Sequence, residues 1–409
     1  MDRVFTLEAL PAGKGDCLIL HYGDSDSPRL CVVDGGPGGV YAQALRPRLE
    51  AIRDSRDLDF GETLFIDLLM VSHVDDDHIN GVLDLADELI NSDEGGLPLV
   101  RVDTLWHNSF DEIIGNQELD TDSAEASALA SFGDAGLPSD ADHDAAHVLA
   151  SIRQGHKLRN AATVLDWAVN SPFDALVLDG ENNAEKIDLF GGGLKITVLG
   201  PQKDELKKLQ KKYDDFLRDK GLGREAPQGA LAAISKDRSV ANLSSIVALM
   251  ECDGKSILLT GDARGDHILE GLGKRGLATE DNPFFVDVLK MQHHGSERNV
   301  SPEFFRRIKA RHYVFCGNGK HGNPERLTIE WLFNAHDGDP ITLHFTHGIA
   351  KIDAEREAHE RKHDKSWEAN NQALATLLED ERQGGRDFEV CTPSDQTGVR
   401  IDLLRRLGT

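Results

Sequence analysis

Long apolar runs are missing from this chain. No stretch approaches the roughly 18–20 uninterrupted apolar residues of a membrane-spanning helix. Residues 1–9 (MDRVFTLEA) carry an acidic residue at position 2 and no lysine, which does not suit a secretory leader. Cysteine is sparse, with five residues at 17, 31, 252, 316 and 391 and no CxxC pair. That scatter argues against a disulfide framework or a structural zinc site, and predicts free thiols in a reducing cytoplasm. Positive charge is also short: 45 Lys and Arg face 71 Asp and Glu, a formal net charge of −26. Such acidity excludes non-specific coating of nucleic acid, which needs clustered positive charge, but not the grip of one phosphate through a metal. No fixed-period repeat or low-complexity tract is present. What is there is a globular balance, 39% apolar and 28% charged over 409 residues, enough for one large domain or two ordinary ones.

The first third alternates short apolar segments with Gly-rich turns, predicting strands over 4–9, 17–22 and 30–33. Helical spacing follows over 40–55, then a nearly continuous apolar strand over 65–71, a helix over 79–90 and a strand over 99–106. This βαβ rhythm predicts an α/β sandwich. Residues 108–180, rich in Asp, Ala and Ser, read as an inserted loop followed by helices. A strand over 187–199 leads to a helix over 203–224 that concentrates Lys203, Lys207, Lys208, Lys211, Lys212, Arg218, Lys220 and Arg224. That helix reads either as a solvated face or as a basic rim beside a cleft.

A second strand-rich half begins at Asn242, with a hairpin signal at Asp253-Gly254, and alternates strands and helices to residue 345. Residues 353–382 predict one long charged helix, and 388–391 with 398–403 a closing hairpin. The predicted organisation is a main domain over 1–350, containing the insertion and basic helix within 108–235. A C-terminal helix and hairpin over 351–409 pack upon it.

The densest chemistry lies in Ser72-His73-Val74-Asp75-Asp76-Asp77-His78, directly after the buried strand. Two imidazoles and three carboxylates beside a core strand are hard to justify without a cation, because unpaired buried ions cost several kcal/mol each. The spacing places His73 and Asp75 on one ion, Asp77 and His78 on a second. Leu258–Ala263 (LLTGDA) sets Asp262 at a strand end, and Met291–Ser296 (MQHHGS) does the same with His293 and His294. Together these are the parts of a two-metal site in which one carboxylate is shared.

HxDxDH, followed by LTGDA and HHGS, resembles the metallo-β-lactamase-fold hydrolases. It is most similar to the nuclease-like domain of ComEC-type DNA-uptake proteins and their stand-alone bacterial relatives. Leu10–Cys17, Val32–Gly36, Asn242 with Ser244-Ser245, and Gly319–Pro324 match that branch, and the similarity covers about residues 3–345. The resemblance implies an αββα sandwich with metals at the sheet edges. It implies that His73 and Asp75 hold one ion, Asp77 and His78 the other, that Asp262 bridges them, and that His293 or His294 completes a site. Asp34 would orient a ligand without touching metal. Asp75 stands where most of the superfamily has His, which makes Mn²⁺ or Mg²⁺ credible beside Zn²⁺. A further superfamily His has no evident counterpart, with His107, His143, His147 and His156 as candidates.

Two such ions would activate a water for attack on an electrophile. Ser296, Asn242 and His321 are expected around a leaving phosphate, with His321 as proton donor to the leaving oxygen or, equally, as a helix-capping loop residue. The expected function is a metal-dependent phosphodiesterase or nuclease. Hydrolysis of a small phosphoester, nucleotide or ester is the first alternative. The second is an effector in bacterial defence, regulated by a protein partner or by proteolysis.

Overall fold

The computed structural model describes residues 2–56, 63–92, 98–109, 113, 143–173, 175–180, 188, 191–207, 242–279, 281–336, 338, 340–393 and 397–408. Its strands form two seven-stranded mixed sheets. The first begins with an antiparallel meander of β1 (Arg3–Ala9), β2 (Leu18–Asp24) and β3 (Ser27–Val33). It continues in parallel through β4 (Leu64–Met70), β5 (Val100–Trp106) and β6 (Ala168–Val169). The second repeats the plan. An antiparallel β7 (Lys195–Gly200), β8 (Val247–Cys252) and β9 (Lys255–Leu259) leads into parallel β10 (Phe284–Lys290), β11 (Ile308–Phe315) and β12 (Ile341–Phe345). The β8–β9 turn carries Asp253 and Gly254 at φ 47° and 75°, the doubly left-handed pair that a two-residue hairpin demands.

Alternation along the strands gives each sheet two apolar faces. One core joins the sheets, with Phe5, Leu20 and Met70 from the first meeting Val198, Met250 and Val288 from the second. The outer face of the first sheet is covered by α1 (Arg46–Ser55), α2 (Asp76–Asn91) and α3 (His143–Val164). The second is covered by α4 (Gly265–Lys274), α5 (Pro302–Arg307), α6 (Arg326–Ala335) and α7 (Ile349–Lys362). The result is a mixed α/β architecture with two sheets between helical layers.

The C-terminal region departs from expectation twice. The single charged helix is three pieces, α7, α8 (Ala369–Gln372) and α9 (Leu374–Gln383), the first ending just before Asp364 at φ 57°. The closing hairpin is not a hairpin. Its first arm, β13 (Phe388–Cys391), runs parallel to β12 in the second sheet, and its second, β14 (Val399–Asp402), runs antiparallel to β1 in the first. A polar, turn-rich link between two short apolar segments reads the same whether it reverses the chain or carries it from one sheet to the other. Each arm finds an open sheet edge, which offers more hydrogen-bonding partners than the other arm would.

Most of the predicted basic helix, including Lys208, Lys211, Lys212, Arg218, Lys220 and Arg224, and residues 114–142 of the predicted insertion lie outside the described residues. Among the described residues no helix is long and apolar enough to cross a membrane. All five cysteines are free thiols, and only Cys391 is not fully buried.

Candidate metal centre

The polar cluster assembles at the C-terminal ends of parallel strands from both sheets, where an open α/β sheet leaves side chains uncovered. After β4 the chain turns through Ser72–Asp75 and enters α2. Asp75 is the N-cap, its carboxylate accepting from Asp76 N at 2.6 Å, and Asp76 and Asp77 follow in a first turn that favours acidic residues. This start fixes Asp77 and His78 over the strand ends. Two backbone approaches hold the turn from outside. A Cβ on Gly15 would lie 1.9 Å from Asp77 O, and one on Gly81 would lie 1.9 Å from Gly35 O, so neither position admits a side chain. Gly35 N and Asp16 N donate to the carbonyls of His78 and Asp77 at 2.7 and 3.2 Å.

Four imidazoles converge on one carboxylate. The Nε2 atoms of His73, His78, His293 and His294 stand 3.9, 3.4, 3.6 and 3.8 Å from Asp262. Each ring is oriented from behind through Nδ1. His78 donates to Asp34 Oδ2 at 2.9 Å and His73 to Ser72 Oγ at 3.2 Å. His293 donates to Asn299 Oδ1 at 2.8 Å and His294 to Asp16 Oδ1 at 3.0 Å. Asp34 in turn accepts from Ser72 N and Ser72 Oγ, both at 2.7 Å. Asp77 closes the ring with Oδ2 3.6 Å from His294 Nε2. The turn bearing His293 and His294 has both residues left-handed, φ 47° and 56°, a conformation unfavourable by about 1–3 kcal/mol per residue and typical of functional sites.

Buried imidazole Nε2 atoms of His73, His78 and His294, and Asp262 Oδ1, make no hydrogen bond. Native structures rarely leave such atoms unpaired. Ligands that each sit about 2.0–2.2 Å from a shared ion stand roughly 3–4 Å apart, and these separations fall in that range. The residues therefore fit a divalent ion. His73–His78–Asp262 and Asp77–His78–His294 each bring three ligand atoms within 4.8 Å of one another.

The electrostatics carry the same imprint. Burial opposes the charged forms of His78 and His294, yet Asp262 first, then Asp34 for His78 and Asp16 for His294, outweigh it. His78 is raised well above its ordinary value and His294 to about 9. Against its own burial, Asp262 is held well below the carboxylate range by His293, His294 and His78. Desolvation and the neighbouring His78 push His73 down to about 3. Without an ion, two imidazolium protons serve as the cluster's cations.

Not every expected residue joins the cluster. Asp75 caps α2 and belongs to none of the ligand groupings. Ser296 Oγ donates to Glu325 Oε2 at 3.3 Å, away from the imidazoles, and stabilises the turn. Asn242 does reach the site, its Nδ2 lying 3.3 Å from His293 Nδ1. His321 is exposed on the Gly-rich loop, with its pKa lowered to about 4 by desolvation and by Lys14, against the pull of Asp77. It is neutral at pH 7. His107, buried after β5, and His156 on α3 fall in no ligand grouping among the described residues, and the side chains of His143 and His147 lie outside the description.

Three contributors carry no motif of their own in the sequence. Asp16 orients His294, Asn299 holds His293 while its Nδ2 donates to Asp262 O at 2.9 Å, and Lys290 is buried beside Asp16 and Asp262. A lysine ending the apolar strand Phe284–Lys290, three residues before paired histidines, is the available signal.

No protein-family model matches the chain. Among curated proteins, 139 of its residues are 29% identical to microtubule-associated protein 1A of Rattus norvegicus, and 138 are 30% identical to the Mus musculus protein. Each alignment covers 32% of this chain and 5% of the relative. The Homo sapiens protein is 28% identical over 154 residues, 36% of this chain and 5% of its own length. The chain thus spans a small fraction of the curated relatives it matches.

Proposed function

We propose that the chain is a metal-dependent hydrolase of the metallo-β-lactamase fold that cleaves phosphodiesters. The observation that carries this reading is the convergence of four Nδ1-anchored imidazoles on Asp262, their Nε2 atoms turned inward. Two sheets of matching plan, helices on both outer faces and a site at the strand ends support the fold assignment. His73, His78, His293, His294, Asp77 and Asp262 would hold one or two divalent ions, and their mixed nitrogen and oxygen donors suit Zn²⁺ or Mn²⁺, with Mg²⁺ the harder alternative. Bound there, such ions supply Lewis-acid polarisation of a phosphoryl oxygen and a lowered pKa for water.

The chain's own groups do the rest. Asp262 neutralises and spaces the imidazoles, while Asp34, Ser72, Asn299 and Asp16 hold each Nδ1 and so keep each Nε2 facing inward, the atom that would give up its proton to an ion. Asp77, with a side chain 17% exposed, meets solvent at the rim, and against its own burial His294 and His78 hold its carboxyl well below the usual carboxylate range, so it stays ionised as a ligand. His321, neutral at pH 7, and half-buried Lys14 stand on the same side and would donate hydrogen bonds to an anionic phosphoryl group. Buried free thiols suit a reducing cytoplasm.

Metal analysis of the purified chain, combined with a substrate panel in Mn²⁺ and Zn²⁺, tests the proposal. The panel is bis(p-nitrophenyl) phosphate, a phosphomonoester, single-stranded DNA, RNA and p-nitrophenyl acetate. Bound metal and chelator-sensitive cleavage of the diesters are expected. A chain that takes up no metal, or cleaves only the acetate, would overturn it. The net charge of −26 favours the small diester over the polymers, so their relative rates set the natural substrate's size.

A further inference from the structure

Lys290 is 1% exposed, at the end of β10. Strand alternation puts it on the same inward face as Val288, so its side chain enters the space between the sheets rather than the helical layer. Its ammonium contacts Asp16 Oδ2, donates to Gly261 O at 2.9 Å and lies 3.9 Å from Asp262 Oδ1. Three oxygens, two of them carboxylate, thus surround one nitrogen. That is the donor set a hard divalent cation takes in proteins. Asp16 comes from the β1–β2 loop of the first sheet, whereas Lys290, Gly261 and Asp262 belong to the second. Asp16 also lies close enough to His78 and Asp34, and to Asp262 and His294, to count geometrically as a ligand. The ammonium already sits against its inner oxygen, where it repels a second cation.

We propose that Lys290 is a built-in cation of the centre. It occupies the Asp16 side of the cluster, confines divalent ions to the side lined by imidazole Nε2 atoms, and leaves Asp16 as the acceptor that orients His294 rather than as a ligand. This rests on reading the cluster as a metal centre. Lys290 and Asp16 are then positioning residues. With Lys290 in place, Asp16 Oδ1 stays committed to His294 Nδ1 at 3.0 Å, which holds the opposite ring nitrogen toward Asp77 and Asp262.

The test is a count of ions per full-length chain, by equilibrium dialysis against Mn²⁺ and elemental analysis, for the wild type, Lys290→Ala and Asp16→Asn. Lys290→Ala should bind one more Mn²⁺ per chain than the wild type, because the oxygen cage is emptied. Asp16→Asn, with Lys290 retained, should bind the same number as the wild type with an affinity weakened about 10–100-fold, the usual effect of losing an orienting partner. An unchanged count in a folded Lys290→Ala protein overturns the proposal. If Lys290→Ala does not fold, Asp16→Asn decides alone, and loss of one ion per chain makes Asp16 a ligand and the proposal wrong. The wild-type count tests the metal centre itself, whereas the difference between variants tests Lys290. A wild type that takes up no Mn²⁺ would sink the metal-centre reading and the proposal with it, whereas a loaded wild type with an unchanged count in Lys290→Ala would sink the Lys290 proposal alone.

Discussion

Replacing Asp34 by Asn changes one atom type and should change a tautomer. Asp34 accepts from Ser72 N, Ser72 Oγ and His78 Nδ1 at 2.7, 2.7 and 2.9 Å. A carboxamide keeps the shape but offers one acceptor oxygen and one donor nitrogen. If its oxygen stays on the buried Ser72 N, its nitrogen faces His78 Nδ1, which must then accept. The neutral ring then keeps its one proton on Nε2, the atom that faces Asp262 at 3.4 Å, and a protonated Nε2 cannot bind metal. If the amide flips, Ser72 N meets a donor instead. One charge-assisted hydrogen bond is lost either way, about 1.5–3 kcal/mol. The backbone adds nothing, since position 34 is left-handed at φ 58° and Asn tolerates that region well. The expected result is a folded Asp34→Asn protein whose Mn²⁺ or Zn²⁺ affinity falls about 10–100-fold, roughly 1.4–2.7 kcal/mol. Competition against a chromophoric chelator measures it. Wild-type affinity in a folded Asp34→Asn protein would show that His78 needs no orienting carboxylate and would refute the reasoning.

Asp77→Ala should abolish diester hydrolysis while leaving the circular dichroism spectrum unchanged, because the residue sits on the solvent side of the first turn of α2; wild-type turnover would remove it from the site. Gly15→Ala should destabilise the fold by about 1–3 kcal/mol, as Asp77's backbone must move to admit a methyl group, and an unchanged melting temperature contradicts the packing. In chelator, raised pKa values for His78 and His294 mean stability that is complete below pH 6.5, the ordinary value, and lost as pH climbs through about 9. The metal-free melting temperature should therefore fall across that window, and a flat or rising profile would show the two rings are not protonated in the fold. Metal binding at pH 7 should release protons from the same two rings, seen in calorimetry as a dependence of the heat on the buffer's ionisation enthalpy.

The site's contiguous pieces were legible in the sequence. His73, Asp77 and His78 crowd into one turn, and Asp262 and the His293-His294 pair end apolar strands, so local density alone separates them from surface residues. The isolated contributors were not. Asp16 sits in a glycine turn that would call for an acidic residue anyway, and nothing in residues 10–17 foretells that His294, 278 positions away, leans on it. Asp75 illustrates the converse, since the residue before a helix is often Asp for capping reasons that compete with ligation. Ser296 follows the histidines in sequence, but the left-handed turn points it to Glu325. The alternation of strands and helices foretold two layered sheets, whereas the two terminal strands could be told from a hairpin only by knowing which sheet edges stood open.

The pairing of β14 with β1 has a consequence for the chain's synthesis. The contact between Thr6 and Asp402 spans 396 positions. At about 5–20 residues per second, β1 waits roughly 20–80 s after it is made before its outer neighbour exists. Throughout that interval one flank of β1 presents unbonded amides and carbonyls, the kind of template on which nascent chains associate with one another. Slow, late closure of this kind makes the yield of active protein depend on how the emerging β1 is shielded. Lowering the growth temperature or supplying a holdase should therefore raise recovery more than any change to the finished molecule's stability.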